Sequence, residues 1–357
     1  MKVFIGAENI ISPLGNTAEE NFAAICEGKT GIRTVPNSNF KQDETLYLSK
    51  FEEGFDTSKI LENCFENLAV SSEILYSKKT KVIISSTKGY IGEGVENALI
   101  NVVNRFVNEK PFTNQPIIIS NACISGVLGI AKAGEMIRAN LYENVIVIGL
   151  DFLSDFVTFG FEALFALSKQ PIKPFDKDRK GINLGEGCSA VVLSKNENIF
   201  NQKPLEYVSG SSSNDANHIS GPSRTGEGLV RTVNKSLKAG SVKAEEIGYI
   251  SAHGTGTLFN DTMEAIAFNR LGLNQVKLNS LKGYYGHTLG AAGLIETAIA
   301  MQQLRNQIIV KSVGFEAFGT DEKINITTQT APEEFTTFLK TASGFGGGNA
   351  SVIIRKQ

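Results

Sequence analysis

Residues 117–133 read IIISNACISGVLGIAKA, and the fold is read outward from this stretch. Ile117-Ile118-Ile119 is a short apolar run, the pattern of a buried strand. Asn121-Ala122 turns the chain. Small residues with Gly126 and Gly129 then open a helical pattern that runs to about Asn140. Cys123 stands on the turn between strand and helix. A thiol held there faces the positive end of a helix, which lowers its pKa and favours a nucleophilic thiolate. The same cysteine also reads as a small buried residue at a turn, because free cysteine is often core.

Strands and helices alternate on both sides of this stretch. Residues 2–6 (KVFIG) predict a first strand. Ser12-Pro13-Leu14-Gly15-Asn16 is a turn, and Thr17 can cap a helix that has Glu19 and Glu20 in its first turn. Residues 33–55 read as polar and irregular. Residues 81–86 predict a strand, 94–107 a helix, 145–150 (VIVIGL) a fully apolar strand and 188–194 a returning strand. The five phenylalanines between 152 and 165 read as core or interface.

Near Lys203 the alternation begins again. It offers a strand at 205–210, a helix at 226–239, a strand at 249–251 entering the loop HGTGT (253–257), and a helix at 261–271. A short strand at 278–281 leads through KGYYGH (282–287) into a helix at 289–303. A glycine loop at 343–348 and a strand at 350–355 close the chain. This alternation implies an α/β fold with mostly parallel sheets. Glycines follow Cys123 at offsets of three and six (Gly126, Gly129), and Gly290 and Gly293 follow His287 at the same offsets. The match points to two duplicated halves, residues 1–202 and 203–357, packed so that the two helix starts lie close together.

Composition bounds the function. A chain of 357 residues is long for one simple core, which fits two halves. With 41% hydrophobic and 20% charged residues it is an ordinary globular protein, and a net charge of −2 gives no overall pull toward nucleic acid or anionic membrane. Cys26, Cys64, Cys123 and Cys188 are far apart and form no CxxC pair, so the reading is a reducing, cytoplasmic setting with neither a disulfide framework nor a zinc site. The first sixteen residues do not read as a signal peptide, and no uninterrupted apolar run reaches membrane-spanning length.

Several motifs fail on inspection. Gly28-Lys29-Thr30 resembles the end of a phosphate-binding loop, but Ala23 stands where that loop needs glycine. Gly92 and Gly94 follow a strand, but Asn97 occupies the third glycine position of a dinucleotide site. Asp176, Asp178 and Gly181 imitate a calcium loop, but Lys180 and Gly187 replace oxygen ligands. No cofactor and no metal is expected.

What survives is a cysteine with two histidines. The chain has three histidines, and two of them, His253 and His287, lie in glycine-rich loops that permit close backbone approach. With Cys123 they suit thioester condensation. The thiol takes an acyl group, two imidazole N–H donors polarise a second thioester carbonyl, and the enolate left by decarboxylation is stabilised. Backbone N–H groups at the start of the Cys123 helix and in the 344–348 loop can form an oxyanion hole.

These residues carry a family resemblance over nearly the whole chain. ISPLGN near the start, NACISG, KPFDKDRKGINLGEG (173–187), SSSNDANHIS (211–220), HGTGTLFNDTMEA (253–265), LKGYYGHTLGAAGLIE (281–296) and GFGGGNAS (344–351) occur in the order found in elongating β-ketoacyl-[acyl carrier protein] synthases, condensing enzymes of the thiolase fold. The resemblance implies a five-layered αβαβα core of two βαβ halves. It implies Cys123 as the acyl-accepting nucleophile, His253 and His287 as the decarboxylation and condensation histidines, and Lys282 and Glu296 as a supporting charged pair. Thr255 and Thr257 would contact the phosphopantetheine arm. Phe345 would gate the acyl pocket, its N–H joining that of Cys123 in the oxyanion hole. Asp261 and Glu264 match acidic positions without an assigned role, and His218 reads as structural. The implied partners are an acyl carrier protein and a second ketosynthase subunit, in a homodimer or a heterodimer.

The chain departs from the family in four ways. It is some tens of residues shorter, with part of the loss between Gly89 and Pro116. Ile124 and Ser125 follow the cysteine, Leu258 replaces a proline after HGTGT, and Gly348 replaces a threonine. These changes bear on acyl specificity and dimer geometry, and the shortening suggests a specialised polyene or polyketide-type pathway. A non-catalytic, chain-length-determining partner is the main alternative, opposed by the presence of Cys123, His253 and His287. A thioester hydrolase and a thiolase are the others.

Overall fold

The computed structural model describes residues 1–37, 44–56, 59–89, 91, 98–215 and 221–357. Position 218 and the Gly92–Gly94–Asn97 positions lie outside them. Among the described residues, ten strands form one continuous sheet. In chain order they are Val3–Ile11, Thr80–Ser85, Ile117–Ile119, Asn144–Asp151 and Gly187–Ser194, then Leu205–Asn214, Tyr249–Ser251, Lys277–Asn279, Thr337–Ser343 and Gly348–Arg355. The first five stand in the spatial order third, second, fourth, fifth, first. The last five repeat that order, and the two sets meet where Val3–Ile11 pairs antiparallel with Leu205–Asn214.

Two helices, Ser125–Arg138 and Ala292–Asn306, occupy the middle layer between the two wings of the sheet. Ile130, Ile137, Leu294 and Met301 from these helices share one core with Val145, Val147 and Leu193 of one wing and Phe338, Val352 and Ile354 of the other. Ile146 and Ile148, whose side chains alternate with Val145 and Val147, face outward into a second core with Phe65 and Phe106. The strand is buried on both faces, which is why VIVIGL carries no polar residue. Leu229, Val233 and Phe268 cover the outer face of the other wing. Helix, sheet, helix, sheet and helix make the five layers of a thiolase-like α/β fold.

The matching glycines have a packing cause. A Cβ on Gly126 would lie 2.8 Å from the Leu294 backbone nitrogen, and one on Gly293 would lie 2.8 Å from that of Val127. The two central helices therefore cross backbone to backbone near their N-termini. That crossing brings Cys123, just before one helix, beside His287, just before the other.

The sheet is mixed, not mostly parallel: five of its nine pairings among the described residues are antiparallel, because in each half the last strands return directly beside their neighbours without a crossover connection. Several local readings change as well. The first strand runs on to Ile11, with its register shifting between Gly6 and Asn9. Residues 33–55 include a hairpin, Ile32–Pro36 with Thr45–Ser49, whose strand Thr45–Ser49 buries Leu46 and Leu48. The helix after HGTGT starts at Leu258, because the Thr257 hydroxyl caps it by accepting from the Asn260 N–H. The phenylalanine-rich stretch is only partly core. Phe152 is buried, whereas Phe156 and Phe165 are exposed. No helix among the described residues is long and apolar enough to cross a membrane.

Candidate active site

Cys123, His253 and His287 meet at the base of a cavity of about 730 Å³. The His287 Nε2 lies 3.0 Å from the Cys123 Sγ. The two imidazoles stand edge to face with centroids 5.3 Å apart, and the sulfur and one nitrogen from each ring lie within 4.8 Å of one another. All three side chains are buried.

Burial decides their charge. It pushes the Cys123 thiol up to about 11; Lys282 opposes, Asp151 adds, and the N–H groups of Phe345 and Cys123 oppose. The helix end does not win, so the thiolate expected from the turn position is corrected to a resident thiol. Desolvation of the buried sulfur outweighs the opposing Lys282 charge and the two backbone N–H groups. Burial also holds both imidazoles well below the ordinary histidine value, and Lys282 and Lys340 lower them further. The resting site is a neutral thiol beside two neutral imidazoles, and the thiol proton has one obvious acceptor, His287 Nε2.

The two histidines differ in what holds them. The Lys282 ammonium faces His253 Nδ1 at 3.3 Å and donates to the His253 carbonyl at 2.5 Å and to Glu296 Oε1 at 2.7 Å. An ammonium has no lone pair, so His253 Nδ1 must accept and its proton sits on Nε2. His253 is thereby fixed as an N–H donor. His287 Nδ1 is buried without a partner among the described residues, so no hydrogen bond from them pins this ring to one tautomer. It can take a proton at Nε2 in one step and donate from Nε2 in another.

Asp261 and Glu264, whose role the sequence leaves open, hold the HGTGT loop. Glu264 accepts from the N–H groups of His253 (2.8 Å) and Gly254 (2.6 Å), and Asp261 from those of Thr255 (2.9 Å) and Gly256 (3.1 Å). Thr255 and Thr257 line the cavity, their hydroxyls 2.9 Å apart. Phe345 lies at the cavity and stacks on Phe161 with centroids 5.9 Å apart. A Cβ at Gly344 would come within 3.1 Å of the Cys123 nitrogen, a tight contact that glycine avoids. The structure thus gathers every candidate residue around one cavity or directly behind it.

Two site residues escape sequence reasoning. Buried Asp151 accepts from the Ser86 hydroxyl, the Gly290 N–H and the Lys88 ammonium, anchoring the turn that carries His287. Lys340 lies fully buried on a strand and donates to Glu296. A charged residue inside an apolar strand pattern, as in FLKTAS, was the available signal for Lys340.

Comparison with known proteins identifies the family. The family model for the Beta-ketoacyl synthase, N-terminal domain, matches residues 77–198, and that for the C-terminal domain matches residues 206–316. The 3-oxoacyl-[acyl-carrier-protein] synthase 2 of Vibrio cholerae is 26% identical over 416 residues, covering 100% of this chain and 99% of its own. The enzyme of that name from Rhizobium meliloti is 32% identical over 253 residues, covering 67% of this chain and 60% of its own. Among solved structures, a beta-ketoacyl synthase from Burkholderia phymatum superposes with a TM-score of 0.87 at 21% identity, covering 100% of this chain and 99% of that one. The ishigamide ketosynthase/chain length factor superposes with a TM-score of 0.88 at 21% identity and the same coverage. The chain belongs to the beta-ketoacyl synthase family, enzymes that condense acyl groups on the thiolase fold.

Proposed function

We propose that this protein elongates an acyl chain by decarboxylative Claisen condensation on an acyl carrier protein. The observation that carries the reading is the 3.0 Å contact between the Cys123 thiol and His287 Nε2, with a second imidazole fixed as an N–H donor beside it. In the first half-reaction His287 takes the thiol proton, the sulfur attacks the acyl thioester, and the proton passes to the departing pantetheine thiol. In the second, a malonyl thioester loses carbon dioxide. Its enolate oxygen receives hydrogen bonds from Nε2–H of both imidazoles, and its carbon attacks the acyl-cysteine carbonyl. The N–H groups of Cys123 and Phe345 receive the tetrahedral oxyanion, and the Cys123 sulfur departs as a thiolate that takes the proton of His287 Nε2–H, which solvent replaces.

The cavity fits such substrates. Thr255 and Thr257 offer hydroxyls to the amides of a pantetheine arm. Phe345, stacked on Phe161, stands where an acyl chain would turn past Cys123. Exposed Lys177 and Lys180 at the cavity suit an acidic carrier, and exposed Phe165 and Phe259 suit its apolar contacts. A second ketosynthase subunit and a specialised polyene or polyketide-type pathway belong to the same reading. The shortening motivates the pathway, and two structural neighbours are ketosynthases with chain length factors, the ishigamide pair and that of Xenorhabdus doucetiae.

Intact-mass analysis with a panel of acyl carriers, with and without malonyl carrier, tests it on wild type and Cys123→Ala. An adduct on Cys123 that clears only with malonyl carrier, giving an elongated product, supports condensation. An adduct that clears in water alone makes the protein a thioester hydrolase, and no adduct from any carrier makes it a partner subunit.

A further inference from the structure

Glu296 is shared by two buried lysines, and the chemistry above uses one. Lys340, on the strand Thr337–Ser343, donates to Glu296 Oε2 at 2.5 Å, to the Ala252 carbonyl at 3.1 Å and to the Ser251 carbonyl at 3.2 Å. Three acceptors match three ammonium protons. Lys282 is equally saturated by Glu296 Oε1, the His253 carbonyl and His253 Nδ1. The carbonyls of Ser251, Ala252 and His253 are consecutive, so the two lysines grip the backbone that delivers the imidazole. Both ammonium groups and the carboxylate are buried, and together they carry one net positive charge. The ionisable groups around Lys340 are Glu296 and Lys282, Glu264 from the helix Leu258–Arg270, and the two imidazoles. A buried carboxylate needs only one cation for neutrality, so the second lysine calls for an explanation.

We propose that Lys340 is a positioning residue for the decarboxylation step. Its ammonium is the resident counter-cation of Glu296, and it holds the carboxylate and the Ser251–Ala252 backbone so that Lys282 stays aimed at His253 Nδ1. It also adds positive charge near His253, on top of the burial that comes first in disfavouring the imidazolium. This rests on the condensation reading, and it separates the two half-reactions: acyl transfer to Cys123 depends on His287, whereas enolate formation needs both histidines.

The test compares Lys340→Met, Lys340→Arg, Glu296→Gln and the Lys340→Met/Glu296→Gln double variant. In Lys340→Met the kcat for malonyl-carrier decarboxylation falls about 10²-fold, the scale of a misplaced catalytic group, while KM and the rate of Cys123 acylation stay within about threefold. Lys340→Arg, which keeps the charge, recovers part of the loss. By NMR the His253 imidazole of Lys340→Met titrates at higher pH than in wild type, because one positive charge has gone. The double variant restores the net charge of the cluster, and its His253 titration returns toward wild type. Two outcomes overturn the proposal. One is a Lys340→Met enzyme with wild-type decarboxylation and an unmoved His253. The other is a parallel fall of both half-reactions with thermal stability, with the double variant no different from Lys340→Met, which would make Lys340 a packing residue only. A wild type that acylates Cys123 yet never decarboxylates malonyl carrier would defeat the condensation reading instead, and the NMR titration would still decide the electrostatic role.

Discussion

Replacing Gly126 by alanine tests whether the helix crossing sets the chemistry. The new Cβ would sit 2.8 Å from the Leu294 nitrogen and 3.1 Å from the Gly290 carbonyl oxygen, both backbone atoms that no rotamer change can move. Ordinary contact begins at 3.4 Å, so the two helices must part by about 0.6 Å. The Cys123 sulfur precedes one helix and His287 the other, and their 3.0 Å contact would stretch toward about 3.6 Å, a longer path for the thiol proton. Alanine gains about 1 kcal/mol of helix propensity over glycine, while overpacking costs about 1–3 kcal/mol. The net change in stability is therefore small, between nothing and about 2 kcal/mol of loss, and the variant should fold.

The rate is the more sensitive measure, because a misplacement of this order costs up to about 10²-fold. Time-resolved intact mass of the acyl-Cys123 adduct measures it directly, with thermal unfolding alongside. Gly293→Ala, whose Cβ would lie 2.8 Å from the Val127 nitrogen, should act in the same way from the opposite helix. Gly160→Ala is the control. It lies in the helix Asp155–Ala163 with nothing within 4 Å of its added Cβ, and it should slightly stabilise the protein without changing acylation. Acylation of Gly126→Ala and Gly293→Ala at rates within about twofold of wild type would refute the claim that this crossing sets the distance.

Three further outcomes follow from the charges. Alkylation of Cys123 by iodoacetamide should keep climbing with pH toward about 11 instead of levelling near the ordinary thiol value of 9.0, since only the thiolate reacts and burial favours the thiol; a plateau near 9 counts against the neutral resting site. Glu264 has its carboxyl raised by burial from 4.5 to about 7, so the folded state holds that proton more tightly than the unfolded chain does. The stability it contributes is complete below about 4.5 and is lost as pH rises to about 7. Thermal unfolding of Glu264→Gln against wild type should show a difference that changes across that window, and a constant difference would contradict the assignment. Lys177→Glu with Lys180→Glu should raise KM for carrier-bound substrates several-fold at low salt and leave acyl-pantetheine substrates unaffected; an equal change for both substrates would remove the carrier from this face.

The parts of the molecule legible in the sequence are those where one residue type satisfies one local demand. VIVIGL has no polar residue because both faces of its strand are buried, and Gly126 and Gly293 are bare because two backbones touch there. The hairpin at 32–49 was hidden for the opposite reason. Much of its surface is half exposed, and its polar side chains mask the period of two. A turn motif shows the helix end but not the depth of burial around it, and the burial that raises the Cys123 thiol is a property of the whole fold.

The network behind the histidines marks where local reading stops. Lys282 and Glu296 sit in one quoted stretch and can be paired by resemblance, whereas Lys340 lies 44 positions beyond Glu296 on another strand. Nothing local says that three consecutive carbonyls, at 251, 252 and 253, need two ammonium groups to hold them. That demand exists only once two wings of a sheet have enclosed the loop and removed the water that would otherwise bind those oxygens. The same enclosure keeps the imidazoles neutral. One act of burial therefore creates both the need for Lys340 and the donor state of His253, and a substitution that lets water into the cluster should disturb both together.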